Sequence, residues 1–129
     1  MPVQVVFVVP FFMAATLRFV SGAATLPDVR LSIVSQDPLE RLPAALRQRL
    51  AGHWRLDDCF SVTQLVHAIR ELSQRHGAVQ RAIASLEQMQ APLAEARELL
   101  GLPGISRQAA INFRDKNRMK DVFTAAGLP

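Results

Sequence analysis

Two lysines near the C-terminal end of the sequence have the type and spacing that point most directly to chemistry. Lys116 and Lys120 are the only lysines among 15 basic side chains, and they lie four residues apart. On a helix this spacing places both ammonium groups on one face, next to a second cationic pair, Arg114 and Arg118. Convergent cations on a helix can hold an anionic ligand such as a phosphate. A solvated basic face, partly neutralised by the neighbouring aspartates, is the alternative interpretation.

The remaining chemistry-bearing residues predict no second site. The turn after the first predicted strand, residues 9–13, has no glycine, so its backbone cannot approach a pyrophosphate as dinucleotide-binding turns do. A Walker A loop is also absent. No metal ligand or catalytic residue is predicted, because the candidates lack partners at ligand or catalytic spacing: His53, His67, His76 and the single cysteine, Cys59.

Composition and charge restrict the class of protein. The net charge of +4 and the pI of about 10.6 raise the question of nucleic-acid binding. However, the arginines are scattered from Arg18 to Arg118, and Trp54 is the only large stacking residue besides phenylalanine. This pattern disfavours a phosphate-binding stripe. A single cysteine favours a reducing, cytoplasmic setting. No membrane partner is expected, since the apolar run from Val3 to Leu17 is interrupted by Pro10 and is shorter than a span of ~20 residues.

Alternating strand and helix signals predict one α/β domain over residues 1–129. Strands are predicted at Val3–Val9, Val29–Ser35, His53–Asp57 and Val79–Ser85. Helices are predicted at Phe11–Ala24, Leu42–Leu50, from Ser61 to a stop at Gly77, at Leu93–Leu100 and at Ser106–Ala126. This order indicates a small parallel sheet with helices on both faces, in a Rossmann-like arrangement. Ligands of such folds bind beyond the C-terminal ends of the strands.

The C-terminal segment resembles a known family. The pattern Asp115-Lys116-x-x-Met119-Lys120, followed by Gly127-Leu128-Pro129, is similar to the segment that leads into the ATP-grasp domain of ATP-grasp ligases. Related families are the carbamoyl-phosphate synthase large chain, biotin carboxylase and carboxylate–amine ligases. The upstream Gly101-Leu102-Pro103-Gly104 and the acidic Glu87 resemble further positions of these families. The order of strands and helices is similar to their N-terminal, pre-ATP-grasp domain.

The resemblance implies a function that needs more than these 129 residues. In the family, ATP and Mg²⁺ activate a small-molecule carboxylate as an acyl phosphate, which an amine or another nucleophile attacks. Lys116 matches the lysine that contacts the nucleotide phosphates, and Lys120 matches a less constant basic position. The ATP-grasp domain itself is expected after residue 129, as the partner that completes the ATP site. The fragment alone is therefore expected to be inactive as a ligase, and a homodimer is left open.

Two other classes of protein remain as alternatives. One is a free-standing α/β module that binds a ligand or a partner. A receiver domain of this kind would need clustered acids after its first strand, where this sequence has Pro10. The other alternative is a basic nucleic-acid-binding domain, which a steep salt dependence of DNA or RNA binding would support.

Overall fold

Four parallel strands form the centre of the protein in a computed structural model, which describes residues 3–103. The strands lie in the order β3-β2-β1-β4, and this arrangement confirms the predicted α/β, Rossmann-like fold with a small parallel sheet. Short 3-10 turns at Leu39–Arg41 and Glu87–Met89 precede the second and fourth helices. The elements follow one another as β1 (Val3–Val8), α1 (Ala14–Ala24), β2 (Val29–Ser35), α2 (Ala44–Arg47), β3 (Gly52–Arg55), α3 (Val62–His76), β4 (Arg81–Ala84) and α4 (Gln90–Leu100).

The central strand β1 is buried on both faces, as its continuous apolar sequence predicts. Alternate side chains point to opposite faces of a strand, and here each face meets its own apolar cluster. Val5 and Phe7 belong to the cluster on the side of α1 and α2. Val6 and Val8 belong to the cluster on the side of α3 and α4. Each of these four side chains is at most 1% exposed, so β1 anchors both halves of the core.

The helices are divided between the faces in sequence order. The connections from β1 to β2 through α1 and from β2 to β3 through α2 lie on one face of the sheet. The connection from β3 to β4 through α3 lies on the other face. The neighbouring strands β1 and β4 therefore send the chain to opposite faces. This reversal of direction is the switch point of a doubly wound sheet.

The first helix begins later than predicted. The sequence predicts a start at Phe11, whereas α1 begins at Ala14. The backbone N–H of Phe12 donates to Oδ2 of Asp37 at 3.0 Å, which holds this part of the chain in the loop. Met13, inside the predicted helix, instead has extended backbone at the helix N-cap and is 48% exposed. A contact with a distant loop thus overrides the local helical spacing.

Other limits differ from the prediction by up to a few residues. The second strand has the predicted limits, Val29–Ser35. The predicted helix Leu42–Leu50 is reduced to α2, and the predicted strand Val79–Ser85 is reduced to β4. The fourth helix begins three residues earlier than predicted, at Gln90. The helix predicted at Ser106–Ala126 lies outside the described residues.

The third helix has the predicted ends, and its N-terminus forms only one of the two hydrogen bonds of a capping box. Ser61 Oγ accepts from the backbone N–H of Gln64 at 3.3 Å, and Gly77 ends the helix with a φ of 112°. The side chain of Gln64, however, does not return to Ser61. Its Oε1 accepts from the backbone N–H groups of Asp57 and Asp58 at 3.1 and 3.0 Å. This contact fixes the loop after β3 to the first turn of α3.

Within residues 3–103, we find no helix with the length and apolarity needed to cross a membrane.

Candidate functional site

The candidate site is the edge of the sheet formed by the C-terminal ends of the strands. In open α/β sheets, ligands bind beyond this edge, next to the switch point. Here the switch point lies between the loop after β1, residues 9–13, and the turn after β4, residues 85–89. We call these two segments and the loops after β2 and β3 the carboxyl edge. The sequence predicts binding at this edge, but not the contacts that shape it.

The loop after β2 ties the loop after β1 in place. The carbonyl of Pro10 accepts from the backbone N–H groups of Gln36 and Asp37, at 3.0 and 3.2 Å. In return, the Asp37 carboxylate accepts from the N–H of Phe12. These reciprocal bonds satisfy a proline carbonyl and an amide just before a helix, both of which need partners. The loop after β1 is consequently positioned by residues that are distant in the sequence.

Gln36 extends the same connection to the loop after β3. Its side-chain Oε1 accepts from the backbone N–H of Cys59 at 2.9 Å. Its backbone carbonyl accepts from Nε of Arg55 at 2.8 Å. The three loops after β1, β2 and β3 are thus joined through two adjacent residues, Gln36 and Asp37. A rigid edge of this kind suits a binding surface, because preorganised groups need little ordering when a ligand arrives.

The structure brings a serine and a histidine together, which the sequence analysis missed. Ser35 Oγ lies 2.6 Å from Nε2 of His53 and 2.7 Å from the backbone carbonyl of Asp37. Since a carbonyl only accepts, the Ser35 hydroxyl donates to Asp37 and accepts from Nε2–H of His53. Burial lowers the pKa of His53, against a smaller opposing effect of Glu40.

This serine–histidine pair is arranged for structure and not for nucleophilic catalysis. A catalytic histidine must accept the proton of the serine hydroxyl, whereas His53 donates to it. Ser35 is also completely buried, at 0% exposure, so no substrate can reach its oxygen. The pair therefore links β2 to β3 just below the carboxyl edge.

Cys59 also has a structural role. Its side chain is completely buried in the apolar cluster of α3 and α4. Burial, with a further contribution from the charge of Asp58, raises the pKa of the thiol to about 12. The thiol is protonated at neutral pH and is a poor nucleophile, so Cys59 fills space in the core.

The side chain of Gln90 forms a hydrogen bond with the last residue of β4. The N–H of Gln80 donates to the Gln4 carbonyl. In a parallel ladder, every second residue of a strand bonds to the same neighbouring strand. The Ala84 carbonyl, four residues after Gln80, therefore faces the backbone nitrogen of Pro10. Proline has no N–H to donate. The Gln90 side-chain amide takes its place, donating to the carbonyls of Ala84 and Leu86 at 3.0 and 2.8 Å. The start of α4 is thereby fastened to the switch point.

Exposed apolar side chains concentrate at the carboxyl edge. Within residues 3–103, four large hydrophobic side chains are exposed, and three of them lie in loops of this edge: Phe11, Met13 and Phe60. The fourth, Leu99, lies near the other end of α4. Phe11 and Met13 flank the switch point directly. An exposed apolar side chain on a fixed loop is available to contact a ligand or an adjoining protein surface.

The predicted nucleotide-binding residues cannot be placed. Lys116 and Lys120 both lie outside the described residues, so their assignment stays a prediction. Glu87 is at the carboxyl edge, exposed, at the start of the turn after β4. In the part of the chain that the structure describes, no group of three or more His, Cys, Asp or Glu side chains could hold a metal ion.

Comparison with known proteins gives a local similarity to ligases. No family model matches the sequence. Over 38 residues, the chain is 58% identical to alanine–anticapsin ligase of Bacillus subtilis strain 168. A second alanine–anticapsin ligase of Bacillus subtilis is 55% identical over 38 residues. Each match covers 30% of this chain but only 8% of the ligase. The similarity thus supports a ligase-type protein at a coarse level.

Proposed function

We propose that the chain is the N-terminal, pre-ATP-grasp domain of an ATP-grasp ligase. The observation that carries the proposal is the local identity of 58% to an alanine–anticapsin ligase. Two features of the chain support it: the C-terminal sequence from Asp115 to Pro129, and the parallel, doubly wound sheet. The ATP-grasp domain would follow residue 129 in the same polypeptide.

In this proposal, ATP with Mg²⁺ converts a carboxylate into an acyl phosphate for attack by an amine or another nucleophile. Lys116 would contact the phosphates of the nucleotide, because an ammonium group can donate to several phosphate oxygens. Lys120 would add positive charge on the same helix face. The carboxyl edge would form one wall of the cleft for the small-molecule substrate. A second domain would supply the Mg²⁺ ligands and the remainder of the ATP site.

The test uses the natural polypeptide that contains this chain. Purified protein would be incubated with ATP, Mg²⁺ and a panel of amino acids, and the release of ADP and phosphate would be measured. Hydroxylamine would trap an acyl phosphate as a hydroxamate. We expect ADP release that depends on a carboxylate substrate. No such release across the panel, with folded protein, would refute a ligase function.

The Lys116→Ala variant tests the site assignment separately. Loss of a charge-assisted hydrogen bond is expected to raise the KM for ATP by about tenfold to a hundredfold, and Lys116→Arg should recover part of the loss. Arg30→Ala is the matched control, since this exposed cation lies near the opposite edge of the sheet. If Lys116→Ala and Arg30→Ala gave the same KM as the unmodified enzyme, the assignment of Lys116 would be wrong.

A further inference from the structure

Two exposed apolar side chains of the loop after β1 lie at the switch point and do not belong to the core. Phe11 is 45% exposed and Met13 is 48% exposed. Phe12, between them, packs against the apolar cluster on the side of α1 and α2. The loop thus packs one of three consecutive large hydrophobic side chains against the core and presents the other two to solvent. Because exposure of apolar surface to water is unfavourable, this pair has apolar area available for a ligand.

Hydrogen bonds hold the backbone of this pair in place. Besides the bonds that join Pro10 and Phe12 to the loop after β2, the N–H of Met13 donates to the Phe11 carbonyl at 3.0 Å. The Met13 carbonyl accepts from the N–H of Leu17 in α1 at 2.9 Å. Phe11 and Met13 are therefore attached to a fixed turn, and little ordering of the loop opposes the binding of a ligand.

The size of this apolar pair fits a small molecule better than a protein surface. Large hydrophobic side chains have areas of about 150–250 Å² each, so at these exposures the two residues present roughly 200 Å² together. A stable protein–protein interface buries about 800 Å² of each partner. Two polar residues of the loop after β2, Gln36 and Asp37, adjoin the loop that carries the pair. Apolar contact area beside a few polar groups is typical of a small-molecule site.

We propose that Phe11 and Met13 bind an aliphatic side chain of the carboxylate substrate. The inference rests on the proposed ligase function and adds the class of substrate, a carboxylate whose side chain is apolar and uncharged. A charged side chain would lose water against these two residues without gaining a hydrogen-bond partner from their side chains. Each methylene group placed on the pair should instead tighten binding by about twofold to fourfold.

A homologous series of amino acids tests the proposal with the natural polypeptide that contains this chain. Calorimetric titration would measure the Kd of L-alanine, L-α-aminobutyrate, L-norvaline and L-norleucine, each of which has one methylene group more than the one before. L-homoserine, in which a hydroxyl group replaces the terminal methyl group of L-norvaline, is the matched polar ligand. Binding should tighten along the series by about twofold to fourfold per step, and L-homoserine should bind about tenfold more weakly than L-norvaline.

The double variant Phe11→Ala/Met13→Ala should lose this dependence on side-chain length, whereas Phe11→Leu, which keeps apolar surface, should retain most of it. Leu99→Ala is the matched control, since Leu99 is exposed but lies near the far end of α4. A dependence that is lost in the double variant and kept in Leu99→Ala would support the proposal. If it were found without any ADP release, the apolar site would stand and only the ligase function would be refuted.

Three results would overturn the proposal: equal Kd values along the series, no binding of any member, or a dependence that persists in the double variant. ADP release in the same samples would then leave the ligase function standing. Dissociation of a dimer by the double variant, measured by sedimentation, would also overturn the proposal, because the pair would then be an interface between copies of the chain.

Discussion

At the scale of single residues, His53 shows how a buried contact selects a protonation state. Its Nε2–H donates to Ser35, whose hydroxyl is in turn committed to the Asp37 carbonyl. Partial burial lowers the pKa of His53 from its ordinary value of 6.5. The folded state therefore favours the neutral imidazole, while the unfolded chain takes up a proton more readily.

The lowered pKa predicts a pH dependence of stability. Between about pH 6.5 and the lower pKa of the folded state, the unfolded state binds more protons, so stability decreases as the pH falls. Above this window His53 contributes no pH dependence. Urea unfolding between about pH 7.5 and pH 5 should show a smaller loss of stability for His53→Gln than for the unmodified chain. The control is His67→Gln, at an exposed position of α3. An unchanged pH profile for His53→Gln would contradict the prediction.

At the scale of elements, the packing of α3 on β3 depends on a glycine. A methyl group at Gly52 would lie 2.5 Å from Nε2 of His76 and 3.2 Å from Oγ of Ser32. Gly52→Ala is expected to destabilise the protein by about 1 kcal/mol, because the half-buried imidazole of His76 must rotate away from the added methyl group. Removing the imidazole with His76→Ala should recover most of the loss, and urea unfolding of the single and double variants measures the coupling.

Gly22→Ala is the matched control for Gly52→Ala. Gly22 lies within α1, and a methyl group there would have no described atom of another element within 4 Å. Because alanine is a better helix former, Gly22→Ala should stabilise the chain by about 0.5–1 kcal/mol. If the two glycine substitutions changed the free energy of unfolding similarly, the His76 contact would not be what disfavours alanine at Gly52.

The elements also show what the sequence can and cannot predict. The limits of β2 and the ends of α3 follow from local signals: a β-branched run, a serine cap and a glycine stop. The start of α1 does not, because the side chain of Asp37 binds Phe12 from across the edge. In the same way, the use of the Gln90 amide in place of an N–H at Pro10 depends on which strands are neighbours. Local patterns predict elements, while contacts between distant loops determine their limits.

At the scale of the whole molecule, the apolar core lies apart from the carboxyl edge, where binding is proposed. The apolar core fills both faces of the sheet, and the loops at the carboxyl edge are tied together through Gln36 and Asp37. The sequence predicts the fold, which the structure confirms, and it predicts ligand binding at the carboxyl edge, which stays a prediction. It does not predict the exposed apolar side chains at the switch point, since their exposure depends on where α1 begins. The assignment of Lys116 and Lys120 stays a prediction, because both lie outside the described residues.

This separation predicts that an edge residue can be changed without loss of stability. Phe11 is 45% exposed next to the switch point, so Phe11→Ala should change the free energy of unfolding by less than about 0.5 kcal/mol. If the proposed ligase function is correct, the same substitution removes apolar contact with the carboxylate substrate and should raise its KM by about tenfold. The KM for ATP should stay unchanged. Leu99→Ala is the control, since Leu99 is 63% exposed but far from this edge along α4. Equal kinetic effects of Phe11→Ala and Leu99→Ala would show that the carboxyl edge does not contact the substrate, even in an active ligase.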